Sequence, residues 1–269
     1  MVALPRVTRA PHTPARRASH AGPQPPNEPV RTPDSAPTDK SHAQATLLAA
    51  VVTTAVVTAL SYLLPEAYSA TGVGAAFLVA TYLLALRDDD AAVRHHGLAL
   101  GGLLERARLD PGRLARDSGV ATVWAVAVAA VVLPPFWLGY WVYHGRPDTF
   151  AAAAFPSVGN EVLGQLLVIA LPEEAFYRGV LQTRFDDAWG ARWRWLGTRV
   201  GPGLLVTSAL FAVGHMATEV YPSRLAVFFP ALLFGWLRCR TGSIGASILL
   251  HALCNLFATY LASSYGLPG

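Results

Sequence analysis

The stretch "VLGQLLVIALPEEAFYRG", residues 162–179, joins an apolar run to two carboxylates and a guanidinium. Its first ten residues carry no charge, and Glu173, Glu174 and Arg178 then follow within six residues. Charged side chains inside a lipid bilayer are costly and usually mark a functional site. Whether this run crosses a bilayer therefore decides both the fold class and the meaning of the three charges.

The composition of the whole chain indicates a membrane protein. Of its 269 residues, 53% are hydrophobic and only 14% are charged, whereas a soluble domain has about 25% charged residues. The mean hydropathy is +0.37. The only two cysteines, Cys239 and Cys254, provide neither a disulfide framework nor a CxxC metal pattern.

The first 42 residues differ from the rest, being rich in Pro, Ala, Ser and Arg without apolar periodicity. Such a segment cannot bury enough surface to offset the entropy cost of ordering. No apolar stretch of a secretory signal occurs before residue 45. The sequence therefore predicts a disordered cytoplasmic tail over 1–42, N-terminal transmembrane helices with a cytoplasmic loop over 43–150, and a C-terminal transmembrane core over 151–269.

Seven apolar segments are long enough, or nearly so, to cross a bilayer, which requires about 20 residues. They cover 45–64, 68–86, 119–143, 160–182, 203–218, 224–240 and 243–264. The fifth and sixth are short, which predicts tilted or partly re-entrant helices. The expected fold class is all-α, a polytopic membrane helix bundle with about seven transmembrane helices.

The basic residues alternate between the loops of this bundle. Eighteen of the 21 lie in the tail and in the second, fourth and sixth loops: Arg6, Arg9, Arg16, Arg17, Arg31 and Lys40; Arg87, Arg94, Arg106, Arg108, Arg113 and Arg116; Arg184, Arg192, Arg194 and Arg199; and Arg238 and Arg240. The alternate loops contain only Arg146 and Arg224. This asymmetry predicts a cytoplasmic N-terminus. The net charge of +4 then reflects topology in the lipid bilayer, and no nucleic-acid partner is expected.

The second loop and the start of the next span, 87–119, combine many charges with short apolar runs, which predicts an amphipathic helix or a helical hairpin. His95 and His96 adjoin charged loop residues. Adjacent positions do not share a helix face, so both are expected to be surface histidines.

Three polar clusters lie within the predicted spans. Glu174 and Arg178 are four residues apart and can pair along one helix face. Glu173 is rotated by about 100° from Glu174 and is free to face another group. Pro172 can loosen the helix and admit water. The second carboxylate is the informative one, because a structural ion pair needs only one.

The other two clusters are His215 in "LFAVGHMA" (210–217) and His251 with Asn255 in "SILLHALCN" (247–255). Taken alone, a histidine in a span is often a satisfied core residue, and a His–Asn pair can be an interhelical clasp. Together the clusters have what hydrolysis requires. A carboxylate takes a proton from water, a histidine orients that water, and His and Asn donors stabilise an oxyanion.

These residues also carry a family resemblance. "EEAFYR" (173–178) fits EExxxR, "FAVGH" (211–215) fits FxxxH and "HALCN" (251–255) fits HxxxN. In this order the motifs resemble the CPBP family of intramembrane proteases, which includes the type II CAAX prenyl endopeptidases and the bacterial Abi-type proteins. The resemblance covers roughly residues 155–265.

The resemblance implies a glutamate-dependent peptidase with its site open to the membrane, so that the region 151–269 is the catalytic core. Glu173 is then the general base that activates water, and His215 helps to hold that water. His251 and Asn255 form the oxyanion hole.

Glu174 and Arg178 are expected to orient this site, and no cofactor is expected. An alternative assignment for the family places a zinc ion on Glu173, His215 and His251. Two histidines and a carboxylate match a catalytic zinc set, so spacing alone leaves both versions open. The metal-free version is favoured because it gives Asn255 and the second Glu a role.

Other classes are less well supported. Ser247 and His251 have dyad spacing, but "SIGASILLH" lacks the Gly-x-Ser-Gly of rhomboid-type enzymes. A transporter would show two repeated halves, whereas all three clusters are C-terminal. A catalytically silent membrane scaffold or immunity protein would not need the complete polar set.

The substrate class follows only by analogy with the family. Heavy use of Ala, Arg and Pro with a single Lys indicates a GC-rich bacterial genome, and hence a multi-pass protein of a bacterial inner membrane. The expected substrate is a membrane protein or a lipidated or C-terminally tagged peptide. A sorting-type protease fits better than one for prenylated proteins.

Overall fold

Helices dominate the described chain, because in lipid every backbone polar group must be satisfied within its own segment. The computed structural model describes residues 39–153 and 157–267, so most of the predicted tail (1–42) lies outside the described residues. The α-helices are α1 (Asp39–Leu63), α2 (Glu66–Thr81), α3 (Asp90–His95), α4 (Pro111–Tyr143), α5 (Val158–Leu163), α6 (Leu171–Glu174), α7 (Thr183–Trp189), α8 (Pro202–Thr218), α9 (Phe228–Thr241) and α10 (Gly245–Ser264). π-Helical segments occupy Tyr82–Leu86, Gly164–Ala170 and Ala175–Gln182, and 3₁₀ turns occupy Leu100–Gly102 and Pro222–Val227. Strands β1 (Trp193–Trp195) and β2 (Thr198–Val200) form an antiparallel hairpin.

Four helices among the described residues are long and apolar enough to cross a membrane: Lys40–Leu63, Glu66–Leu86, Pro111–Tyr143 and Gly245–Ser264. The first three bury only 17–22% of their most apolar window, which leaves large hydrophobic side chains facing outward, as lipid-facing helices do. By length and composition these helices indicate an integral membrane protein. The count of seven spans stays a prediction, since α8 has 17 residues and α9 has 14.

The charged stretch of the sequence lies in one long helix, residues 158–189, here called the glutamate helix. It comprises α5, α6 and α7 joined by two π-helical segments, Gly164–Ala170 and Ala175–Gln182. Pro172 lies between these segments and has no N–H to donate to the preceding turn. π-Helical turns are frequent at functional sites. They widen the helix on both sides of the two glutamates.

Packing around the glutamate helix brings the N-terminal and C-terminal regions together. Helix α2 packs against residues 164–182 of this helix, and α1 and α8 pack against α7. Helix α10 packs against α4, α9 and the π segment Gly164–Ala170. The close contact with α2 requires Gly74, since a Cβ there would lie 2.5 Å from the Val168 carbonyl oxygen. Helix α10 is the most buried of the four candidate spans, since 44% of its most apolar window is buried. It therefore lies in the centre of the bundle.

The structure resolves a conflict between the predicted span boundaries. By sequence, Glu173 and Glu174 lie near the cytoplasmic end of their span and His215 near the outer end of its own. In the structure Gly203, at the start of α8, packs against Asp186 near the end of α7. Glu173 lies thirteen residues before Asp186, and His215 lies twelve residues after Gly203. Glu173 and His215 therefore lie at the same depth in the bundle. They do so because the glutamate helix extends beyond its predicted end at residue 182.

The expectations for the second loop are partly wrong. Residues 87–110 contain only the short helix α3 and one 3₁₀ turn, not an amphipathic helix or hairpin. His95 is exposed as predicted and contacts Asp187 at 2.8 Å. The prediction for His96 is wrong, since it is only 8% exposed and its Nδ1 donates to the Gly179 carbonyl at 2.9 Å. The loop folds over the glutamate helix and covers this carbonyl, which a local sequence pattern does not indicate.

Candidate active site

The centre of the site is a buried group of three charged or polar side chains. Glu174 and Arg178 are both fully buried and form an ion pair, with Glu174 Oε2 3.3 Å from Arg178 Nε, as their i,i+4 spacing predicts. The other carboxylate oxygen, Oε1, lies 3.0 Å from His251 Nδ1. Helix α10 thus presents His251 to the glutamate helix, and Glu174 holds the imidazole from one side and the guanidinium from the other.

Aromatic rings enclose this group and keep it dry. The Arg178 guanidinium lies 4.6 Å from the ring centre of Phe211 and 5.6 Å from that of Phe234, which are favourable cation–π distances. The His251 ring stacks on Phe234 at 4.9 Å. Arg178 Nη2 also donates to the Ala231 carbonyl at 3.2 Å, which ties the cluster to α9. A dry surrounding strengthens every charge–charge interaction within the cluster.

Glu173 faces away from this cluster and towards two histidines. Its Oε2 lies 3.8 Å from His215 Nε2 and 3.9 Å from His251 Nε2, both too long for direct hydrogen bonds. The same Oε2 is buried without a hydrogen-bond partner among the described residues. His215 Nδ1 is already used, since it donates to the Phe211 carbonyl at 3.0 Å. Both histidines therefore direct Nε2 at one carboxylate oxygen.

Asn255 lies one turn beyond His251 on α10 and contacts a residue that the sequence did not single out. Its Nδ2 donates to Gln165 Oε1 at 2.9 Å. Gln165 belongs to the first π segment of the glutamate helix, two turns before Glu173. A polar residue within the run 162–171 is the signal that could have indicated it.

The structure thus brings five of the six predicted site residues into one cluster, and the sixth, Asn255, lies at its edge. Seven side chains form the site as described: Gln165, Glu173, Glu174, Arg178, His215, His251 and Asn255. Their arrangement offers a carboxylate that can accept a proton, two imidazole nitrogens beside it, and a pair of hydrogen-bonded amides, Gln165 and Asn255, at the edge of the cluster.

A zinc ion would require Glu173 Oε2, His215 Nε2 and His251 Nε2 as ligands. Two ligands of a tetrahedral zinc at 2.0–2.1 Å are about 3.3 Å apart. The separations here are 3.8 and 3.9 Å. Within the described part of the chain no group of three or more His, Cys, Asp or Glu side chains is arranged to hold a metal ion. As placed, the three donors do not form a zinc site.

Comparison with known proteins gives one family match. Residues 158–257 match the family model described as "Type II CAAX prenyl endopeptidase Rce1-like". The matched range contains all seven site residues and runs from the start of the glutamate helix into α10. No curated protein and no solved structure matches the chain.

Proposed function

We propose that this chain is an intramembrane endopeptidase of the glutamic type, and the match of residues 158–257 to the type II CAAX prenyl endopeptidases supports its place among the CAAX-type proteases. The family assignment implies a peptide-hydrolysing membrane enzyme. The observation that supports the glutamic mechanism is the orientation of Glu173. Its unpartnered Oε2 faces two histidine Nε2 atoms whose Nδ1 atoms are already held by other groups.

The proposed nucleophile is a water molecule held between Glu173 and His215. Two atoms 3.8 Å apart can both lie at about 2.8 Å from a third atom, which is a hydrogen-bond distance for water. With Nδ1 of His215 donating to a carbonyl, its neutral Nε2 is an acceptor. The water then donates one O–H to Glu173 and the other to His215, and directs a lone pair at the substrate. Glu173 takes its proton as the oxygen attacks the peptide carbonyl and later returns it to the leaving amine.

The proposed oxyanion donors are His251 and Asn255. His251 can act as such a donor when both of its ring nitrogens carry a proton. Its Nδ1–H then remains on Glu174 while Nε2–H is free for the developing oxyanion. Asn255 supplies the second N–H.

The proposed substrate is a membrane-associated protein, cut near a lipidated or C-terminally tagged segment in or beside the bilayer. The site supports this class because it lies inside the helix bundle of a membrane protein, with 13% of the Glu173 side chain and 25% of the His215 side chain exposed. Location in a bacterial inner membrane with a cytoplasmic N-terminus stays part of the proposal. It rests on the arginine distribution.

The test is cleavage of a quenched membrane-peptide library by the purified full chain in detergent. We expect the His251→Ala and Asn255→Ala variants to lose about 100-fold or more in kcat, as removal of an oxyanion donor does in other hydrolases. Thermal melting of each variant shows whether it is folded. A folded wild-type chain that cuts nothing would instead favour the silent scaffold or immunity protein.

The zinc alternative is tested in the same assay with a chelator. The glutamic mechanism predicts that activity survives prolonged chelation. Loss of activity that zinc restores would replace it with a metal-dependent protease on Glu173, His215 and His251.

A further inference from the structure

The short β-hairpin between α7 and α8 presents two arginines side by side. The register pairs Trp193 with Val200, Arg194 with Arg199, and Trp195 with Thr198. Directly opposite residues of antiparallel strands share a face of the hairpin. Arg194 and Arg199 therefore lie together on one face, and the tryptophans lie on the other.

The tryptophan face of the hairpin is held by the helices. Val200 is 4% exposed, and Thr198 Oγ1 donates to the Cys239 carbonyl at 3.1 Å. Arg240 Nη1 also donates to the Gly197 carbonyl at the turn, at 3.1 Å. The opposite face, with Arg194 and Arg199, consequently points away from the protein.

This outward face is electrostatically unfavourable in water alone. Both arginines are exposed, and within residues 39–153 and 157–267 neither has a carboxylate at ion-pair distance. Like charges placed directly opposite each other destabilise a strand pair. A shared anion between the two guanidiniums would remove this repulsion.

The turn of the hairpin is unfavourable in a second, independent way. Leu196 has φ +42° and Gly197 has φ +80°. A two-residue turn with both φ values positive usually begins with Asn or Asp, because residues with bulky side chains rarely adopt this conformation. The strained Leu196 is also 64% exposed. In water, nothing offsets the conformational cost of the positive φ of Leu196. Transfer of its exposed side chain into apolar surroundings would lower the free energy and offset that cost.

We propose that this hairpin binds the phosphate groups of anionic phospholipids in the leaflet at its end of the bundle. Arg194 and Arg199 would share a phosphate, for which the planar guanidinium is well suited. Leu196 would enter the interfacial region, with Trp193 and Trp195, 48% and 36% exposed, at headgroup level. The hairpin has the right position, since it joins the end of α7 to the start of α8 in an integral membrane protein.

A free phosphate ion accounts for less of the geometry than a lipid does. It would satisfy the two arginines but leave Leu196 and the tryptophans unexplained. Because the apolar tip and the arginine pair belong to the same eight residues, one lipid surface satisfies both features.

The test measures the melting temperature of the full chain in neutral detergent during titration with phosphatidylglycerol, phosphatidylcholine or inorganic phosphate. We expect phosphatidylglycerol to raise the melting temperature and the other two to do so much less. The variant Arg194→Gln/Arg199→Gln should require at least tenfold more phosphatidylglycerol for half of the effect. The control Arg108→Gln/Arg116→Gln removes the same charge from the loop before α4 and the first turns of α4, and should behave as wild type.

Two further variants separate lipid binding from folding. Arg194→Lys/Arg199→Lys keeps the charge but loses bidentate geometry, and should weaken the lipid effect less than the glutamine pair. Leu196→Asn should melt higher than wild type without lipid, because its turn is relaxed, yet respond to phosphatidylglycerol only at several-fold higher concentration. Equal responses of the glutamine pair and its control, or an equal effect of inorganic phosphate, would overturn the proposal.

Discussion

Single polar contacts decide what the site can do, and Gln165 is the clearest case. Its Oε1 accepts one N–H of Asn255, which fixes the direction of the second N–H. The i,i+4 spacing of Glu174 and Arg178 was enough to predict their ion pair. Gln165 could not be found in this way, because its partner is 90 residues away in the chain and an uncharged side chain in an apolar run carries little signal.

At this scale we predict that Gln165→Met lowers kcat about tenfold and leaves KM nearly unchanged. Methionine has a similar length but no strong acceptor, so Asn255 loses its orientation and not its place. The loss is expected in kcat and not in KM, because the proposed oxyanion forms only in the transition state. Steady-state kinetics of cleavage, with melting curves as a folding check, measure it. An unchanged kcat would remove Gln165 from the account.

At the scale of elements, the hydropathy pattern located the helices but not their internal geometry. All seven predicted segments fall on helical stretches, and four of these helices are long and apolar enough to cross a membrane. The two π-helical segments around Pro172 were not predicted, since the sequence around them reads like ordinary apolar helix. The same holds for the contact of Gly74 with Val168, which depends on how two helices approach each other.

This contact gives a prediction about stability. In Gly74→Ala the new Cβ would lie 2.5 Å from the Val168 carbonyl oxygen, so α2 must move away from the glutamate helix. Overpacking of this kind costs about 1–3 kcal/mol. Gly119→Ala in α4 is the matched control, because its Cβ meets nothing within 4 Å. We expect a lower melting temperature for the first variant and an equal or higher one for the second.

Failure of Gly74→Ala to lower the melting temperature would show that the two helices separate without cost. The close approach of α2 to the glutamate helix would then not require a glycine at position 74.

At the scale of the whole molecule, the chain brings distant loops together at the end that carries most of its arginines. Ile244 N donates to the Gly97 carbonyl, and Arg238 Nη2 donates to the His95 carbonyl. The arginine distribution predicted which loops share this end. It did not predict that residues 95–98 cover the glutamate helix, because their neighbours in sequence are charged and exposed.

The buried loop histidine makes a pH dependence testable. Burial lowers the pKa of His96 below its ordinary value of about 6.5. The unfolded chain therefore binds this proton more readily than the folded chain, so the stability due to His96 is complete above about pH 6.5 and declines as the pH falls. His96→Asn retains a donor for Gly179 but does not titrate. Between pH 7.5 and 5.5 its melting temperature should fall less than that of wild type, and an equal fall in the two proteins would contradict this role of His96.

The proposed mechanism depends above all on Glu173 as the general base. The most direct measurement is the cleavage rate of Glu173→Gln beside Glu161→Gln, the same change at an exposed position of the same helix. We predict a loss of about 10²–10⁴-fold for Glu173→Gln, with unchanged melting and substrate binding, and full activity for Glu161→Gln. A folded Glu173→Gln variant that retains wild-type activity would contradict the account.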